Sequence, residues 1–177
     1  MLRSGYSGTG LVELLDSAGV PKGSFYNHFD SKEAFGVELI RGYYARHDEV
    51  LASLAAQTAR PAVERLRSYF EALIDSAGAA APQLRGCLLG LFALETSGSS
   101  EPLRAAVGEA FARWEARIAE LLRQAQDAGE LDAEQDPREL AALLVESFEG
   151  AVMRARVTGD LAGLRRSLDV AFERLLT

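Results

Sequence analysis

Ser17-Ala18-Gly19-Val20-Pro21-Lys22-Gly23-Ser24-Phe25-Tyr26-Asn27-His28-Phe29, followed directly by Asp30-Ser31-Lys32-Glu33, is the stretch that decides how the chain is read. Gly19 can close a preceding helix in a left-handed backbone conformation. Pro21 suits the first position of the next helix, where its missing N–H would be unpaired anyway. On helical spacing Phe25 and Phe29 share one face, and Gly23 and Asn27 lie roughly opposite. About eight residues of helix are too few to stand alone. The segment must therefore be held by neighbours on its aromatic side while it presents Lys22, Gly23, Ser24, Tyr26, Asn27 and His28 outward. A short helix offered in this way is what the reading of DNA requires.

Working outward, the glycine-rich run Gly5-Tyr6-Ser7-Gly8-Thr9-Gly10 follows no strand and lacks a Gly-Lys-Ser/Thr ending, so it reads as a turn rather than a phosphate loop. Thr9 is placed to cap the next helix, whose apolar face is Leu11, Leu14, Leu15 and Ala18. Downstream, Asp30 and Glu33 have capping-box spacing, with Ser31 as the alternative cap. The helix they open runs to about Gln57, roughly 40 Å at 1.5 Å per residue, long enough to join two domains. Its largely apolar face includes Phe35, Leu39, Tyr43, His47, Val50, Leu51 and Leu54, and Arg60-Pro61 marks a boundary.

Further helices are expected at about 62–77, broken by residues 78–82, then at 84–95 and at 101–128, where Leu103, Val107, Phe111, Trp114, Ile118, Leu121 and Ala125 form a stripe. Asp136-Pro137-Arg138-Glu139 opens another helix that reaches residue 157 or 158, and Gly159-Asp160 makes a tight stop before the last one, 161–176. With no strand candidate, the chain reads as all-α.

Nearly half of the 177 residues are apolar and the net charge is −7. Residues 1–47 carry five basic and five acidic side chains, so the whole acidic excess falls in 48–177. An acidic body repels phosphate and leaves the less negative end, where the charges cancel, as the tolerated face for DNA. The longest apolar run, Cys87 to Leu94, is too short to span a bilayer, and no secretory signal is evident. A cytoplasmic protein with no membrane association is expected. A lone Cys and two His give neither an internal disulfide nor a metal set. There is no Gly-x-Ser-x-Gly, Cys-x-x-Cys or dinucleotide loop, so neither an enzyme nor a cofactor is expected.

Ala-Gly-Val at 18–20, Lys-Gly at 22–23, Phe-Tyr at 25–26, His-Phe at 28–29 and Ser-Lys-Glu at 31–33 together resemble the helix-turn-helix of the TetR family of bacterial transcriptional repressors. The resemblance implies an N-terminal helix-turn-helix DNA-binding domain, 1–47, and a C-terminal helical domain, 48–177, for ligand binding and dimerisation. It implies a repressor released from a palindromic double-stranded operator by a small-molecule inducer. It assigns Lys22, Gly23, Ser24 and Asn27 to the major groove, and Thr9, Tyr26, His28 and Lys32 to the DNA backbone. In that family a first helix packs behind the helix-turn-helix. Here Met1-Leu2-Arg3-Ser4-Gly5 reads as its last turn, so most of it is expected to be missing from this sequence.

The last two helices are expected to build a homodimer as a four-helix bundle across a two-fold axis. The apolar stripes assigned to it are Leu140, Leu144, Ser147, Ala151 and Ala155 on one helix, and Leu161, Leu164, Leu168, Phe172 and Leu175 on the other. The inducer is expected to be a small, largely apolar or aromatic compound. Tyr69, Phe70, Leu73, Cys87, Leu88, Phe92, Phe111, Trp114 and Phe148 are its candidate contacts, with His47 nearby. Cys87 could be modified by an electrophile or oxidant, but a buried structural thiol is inert and is the commoner case.

Overall fold

The computed structural model describes residues 5–79, 87–96 and 98–176. Among them every regular element is a helix: α1 (Leu11–Ala18), α2 (Lys22–Tyr26), α3 (Lys32–Ala56), α4 (Ala62–Ala79), α5 (Leu88–Thr96), α6 (Glu101–Asp127), α7 (Pro137–Thr158) and α8 (Leu161–Leu175). None of these is long and apolar enough to cross a membrane. All but Gly5 of the expected last turn at 1–5 lies outside the described residues, as does the start of the 84–95 segment.

Helix ends follow local chemistry where that chemistry is self-contained. Asp136 accepts the Arg138 N–H ahead of Pro137, Gly159 closes α7 at φ 69°, and Asp160 caps α8 through the Gly163 N–H at 2.7 Å. Three expectations are corrected. Thr9 caps nothing: it is buried and its hydroxyl donates to the Gly5 carbonyl at 2.7 Å, while Gly10 stands at the N-cap of α1. At α3 the cap is Ser31, whose Oγ accepts the Ala34 N–H at 3.0 Å. Glu33 accepts instead from the Ser100 hydroxyl at 2.6 Å, so no capping box forms with Asp30. And α4 continues through Gly78 to Ala79, because a single glycine weakens a helix without ending it.

The chain packs as two compact units, Met1–Ala45 with Cys87–Phe111, and Arg46–Gly86 with Ala112–Thr177. Helices α3 and α6 each supply residues to both. The sequence division at residue 47 separates 87–111 from the unit in which it packs.

In the first unit the core is Leu15, Phe25, Ile40, Tyr44, Leu88, Leu89, Phe92, Leu103 and Val107. Gly36 is a close-approach position, since a Cβ there would stand 2.9 Å from Leu103 and 3.1 Å from Tyr6. The Tyr6 ring lies 5.1 Å from that of Phe92, and Glu95 accepts the Ser7 N–H at 2.7 Å. Together these contacts fix the loop that enters α1 against α5.

The second unit is tied at its helix ends. Arg65 on α4 is 3% exposed. Its guanidinium donates to the carbonyls of Leu54 and Ala55, which close α3, and to Gln124 on α6, at 2.8 to 3.0 Å. The Glu130 carboxylate accepts the Ala62 and Val63 N–H groups, each at 3.0 Å, and so satisfies the start of α4. The second half of α3 is pinned to α6 by Asp48, which accepts from Arg117 Nε at 2.7 Å with Arg113 3.6 Å away.

The Arg117 hydrogen bond holds the Asp48 carboxyl below its ordinary value, outweighing the opposing effect of burial. A depressed carboxyl contributes stability that is complete above the unfolded value, near 3.8, and is lost as the pH falls through the folded one. Asp48→Asn is therefore expected to lower the unfolding midpoint at neutral pH and to flatten its decline in acid. Urea titrations from pH 7 to pH 3 measure both.

Candidate nucleic-acid interface

Helix α1 ends in a paired closure: Gly19, at φ 64°, donates to the Asp16 carbonyl at 3.2 Å, and Val20 donates to that of Leu15 at 2.9 Å. The chain leaves through Pro21 in an extended conformation, φ −61° and ψ 141°. Pro21 is thus the N-cap of α2 rather than its first helical residue. Helix α2 has only five residues, fewer than the sequence suggested. Its turn is prolonged by N–H groups of Asn27, His28 and Phe29 that donate to the Gly23 and Phe25 carbonyls.

Phe25 holds α2 in place. It is 4% exposed, and its ring centroid lies 5.2 Å from Phe29 and 5.8 Å from Phe35, which are themselves 5.2 Å apart. Tyr26 meets the edge of Phe25 at 5.3 Å yet remains half exposed. With the aromatic side fixed inward, Lys22, Gly23, Tyr26, Asn27 and His28 are exposed and Ser24 is half-buried. These are the six residues that the sequence pattern offered outward.

The other two expected backbone contacts are placed differently. The hydroxyl of Thr9 is buried and already bonded, so Thr9 is not presented to DNA. Lys32 donates from Nζ to the Tyr6 carbonyl at 2.6 Å, and its charge sits 4.3 Å from the centre of the Tyr6 ring. This ties the start of α3 to the loop before α1. No local motif announces the pairing, because the partners are 26 residues apart.

The residues expected to touch a ligand do not form one described group. Tyr69, Phe70, Trp114 and Phe148 cluster in the second unit, with Phe70 and Phe148 rings 5.1 Å apart and Trp114 6.3 Å from Phe148. His47 joins them, 3.2 Å from the Tyr69 hydroxyl through Nδ1, and burial pushes its imidazole below its ordinary value. Leu73 is half-buried on α4. Cys87, Leu88, Phe92 and Phe111 belong to the first unit. A crevice lined by Phe70, Phe148, Ala151 and Leu168 encloses about 10 Å³, room for no more than a water.

The expected dimer stripe also needs correction. Leu140, Leu144, Ala155, Leu164, Leu168 and Phe172 are buried within the chain itself, where α7 and α8 pack together and Phe172 stands 6.0 Å from Phe70 on α4. Leu161 and Leu175 are half-buried. Of the named residues only Ser147 is exposed, with Ala151 partly so. The large apolar side chains that these helices expose are Leu143, Met153, Val157 and Val170.

Comparison with known proteins places these features in context. Residues 1–39 match the family described as bacterial regulatory proteins, tetR family, and residues 62–171 match the tetracyclin repressor-like C-terminal domain. The chain is similar to the HTH-type transcriptional repressor DhaR of Mycobacterium sp. (strain GP1), at 34% identity over 99% of this chain and 86% of the relative. It is 36% identical to the transcriptional regulator AcuR of Cereibacter sphaeroides over 89% of this chain and 71% of the relative. A crystal structure of a regulatory protein TetR from Rhodobacter sphaeroides superposes with a TM-score of 0.88 at 33% identity, covering 99% of this chain and 96% of that one.

The aromatic anchor makes a quantitative claim. Phe25→Ala should cost about 3 kcal/mol or more through lost packing and the cavity left behind, whereas exposed Asn27→Ala should leave the denaturation midpoint within experimental scatter. Equal midpoints for the two variants would show that the ring cluster does not hold α2.

Proposed function

The chain belongs to the TetR family of bacterial regulatory proteins, and from that premise we propose that it is a cytoplasmic, ligand-responsive repressor that binds a palindromic double-stranded operator as a homodimer. The observation that carries this is the five-residue α2, buried on one side only by Phe25 and exposed on the other along Gly23 and Asn27, with Lys22 exposed at its start. A helix so short contributes little to the core, and its free side suits the major groove. Lys22, Gly23, Ser24 and Asn27 face the bases, with Tyr26 and His28 on the phosphates. Lys32, with two of its three N–H groups beyond the Tyr6 contact, reaches a phosphate from the start of α3.

Dimerisation uses the outward face of α7 and α8. On α7, Leu143, Ser147, Gly150, Ala151 and Val157 follow one another at helical spacing, and Val157 is 87% exposed. On α8, Ser167, Val170 and Ala171 supply a similar surface of small and apolar side chains. Small residues let paired helices approach closely, and a two-fold pair of such faces gives the four-helix bundle and two reading heads.

The cluster of His47, Tyr69, Phe70, Trp114 and Phe148 is the ligand end, and it suits a small, apolar or aromatic compound that separates the rings and meets the imidazole and phenol at its polar edge. Such a compound releases DNA only if it binds the DNA-free form more tightly than the bound one.

Selection from a random double-stranded pool, followed by fluorescence anisotropy at several salt concentrations, tests the reading. An enriched inverted repeat, bound with a steep salt dependence, is the expected result, and failure to enrich any sequence would overturn it. For the dimer, Val157→Glu with Val170→Glu should give a folded monomer in light scattering. A dimer that survives both charges lies on another face.

A further inference from the structure

We propose that Asn27 reads an adenine in the major groove of each half-site and is the residue that sets sequence specificity; this rests on the DNA-binding reading above and narrows it to one base. The roll of α2 is fixed by the ring contacts of Phe25 with Phe29 and Phe35. At about 100° per residue, Gly23 and Asn27 bracket the point opposite Phe25, each within about 20° of it. Ser24 and Tyr26 lie about 80° to either side, and Lys22 about 120° away. Asn27 keeps helical backbone angles, φ −75° and ψ −18°, and its N–H donates to the Gly23 carbonyl, so it continues the same face.

Gly23 contributes no side chain to that crest. Apart from its own helix backbone and chain neighbours, no heavy atom lies within 4 Å of where its Cβ would stand, so bare backbone faces outward beside Asn27. A helix with a glycine at its crest can approach the groove floor closely, which a carboxamide on a short stem needs in order to touch base edges. Asn27 is then the one side chain at the centre of the contact.

The carboxamide presents one acceptor oxygen beside two N–H donors. In the major groove adenine alone offers a donor, N6–H, beside an acceptor, N7, in the matching arrangement. Guanine shows two acceptors there, cytosine a donor, and thymine an acceptor with a methyl group. A paired contact from Asn27 is complete only on adenine.

The test uses the full-length protein and the operator selected above. Each adenine of a half-site is replaced in turn by 7-deazaadenine, which removes N7 and preserves base pairing, and affinity is measured for the wild type and for Asn27→Ala. Circular dichroism verifies that the variant is folded. One adenine per half-site should be found where replacement weakens wild-type binding about tenfold or more, with little further effect on Asn27→Ala and the same salt slope for both proteins. The inference fails if Asn27→Ala weakens all sequences alike with a shallower salt slope, which marks a phosphate contact, or if the variant keeps the adenine preference. A wild type that enriches no sequence would sink the DNA-binding reading as well, so the two failures are told apart.

Discussion

A five-residue helix cannot hold itself in water, and the burial of Phe25 against Phe29 and Phe35 is what makes α2 possible. The rings do two things at once. They remove apolar area from water, worth roughly 25 cal/mol per Å², and their tilted and edge-on contacts set the roll of the helix. Everything offered to DNA depends on that roll, because turning α2 by one residue would carry Asn27 off the crest and bring Ser24 toward it.

The second unit solves a different problem, the satisfaction of helix ends. The buried guanidinium of Arg65 meets the last carbonyls of α3, where the helix dipole is negative. Glu130 does the converse at the start of α4, where unpaired N–H groups favour an anion. The turn between α3 and α4 is thereby held by charge placed against backbone, with α6 supplying Gln124 and the chain just beyond it supplying Glu130.

How far all this is legible in the sequence depends on the range of the interaction that decides it. Gly19, Asp136-Pro137 and Gly159-Asp160 announce their breaks because a cap or a left-handed turn is settled within a few residues. The outward face of α2 follows from helical periodicity alone. Lys32 is not readable because its partner, the Tyr6 carbonyl, lies 26 residues away and becomes near only after folding; Thr9 has two local partners to choose from, and its hydroxyl turns back to the Gly5 carbonyl rather than forward to α1. The stripe on α7 was legible only in part, for another reason. Periodicity finds an apolar face but does not say whether it meets the same chain or a second copy, and Leu140, Leu144 and Ala155 meet the same chain. The aromatic residues gathered as ligand contacts share that ambiguity, since a packed core and a pocket wall have the same composition.

The shared core of the first unit bears on modularity. Tyr6 rests on Phe92, Glu95 holds the Ser7 N–H, Ser100 holds Glu33, and Gly36 is bare so that Leu103 can approach. The reading head is consequently not a cassette that can be cut at the middle of α3 and grafted onto another regulator. A chimera that carried residues 1–47 alone would bring half of each contact and leave Tyr6, Glu33 and Gly36 facing side chains selected for a different head. The seam along which such proteins can exchange specificity runs through α5 and the first turns of α6 as well.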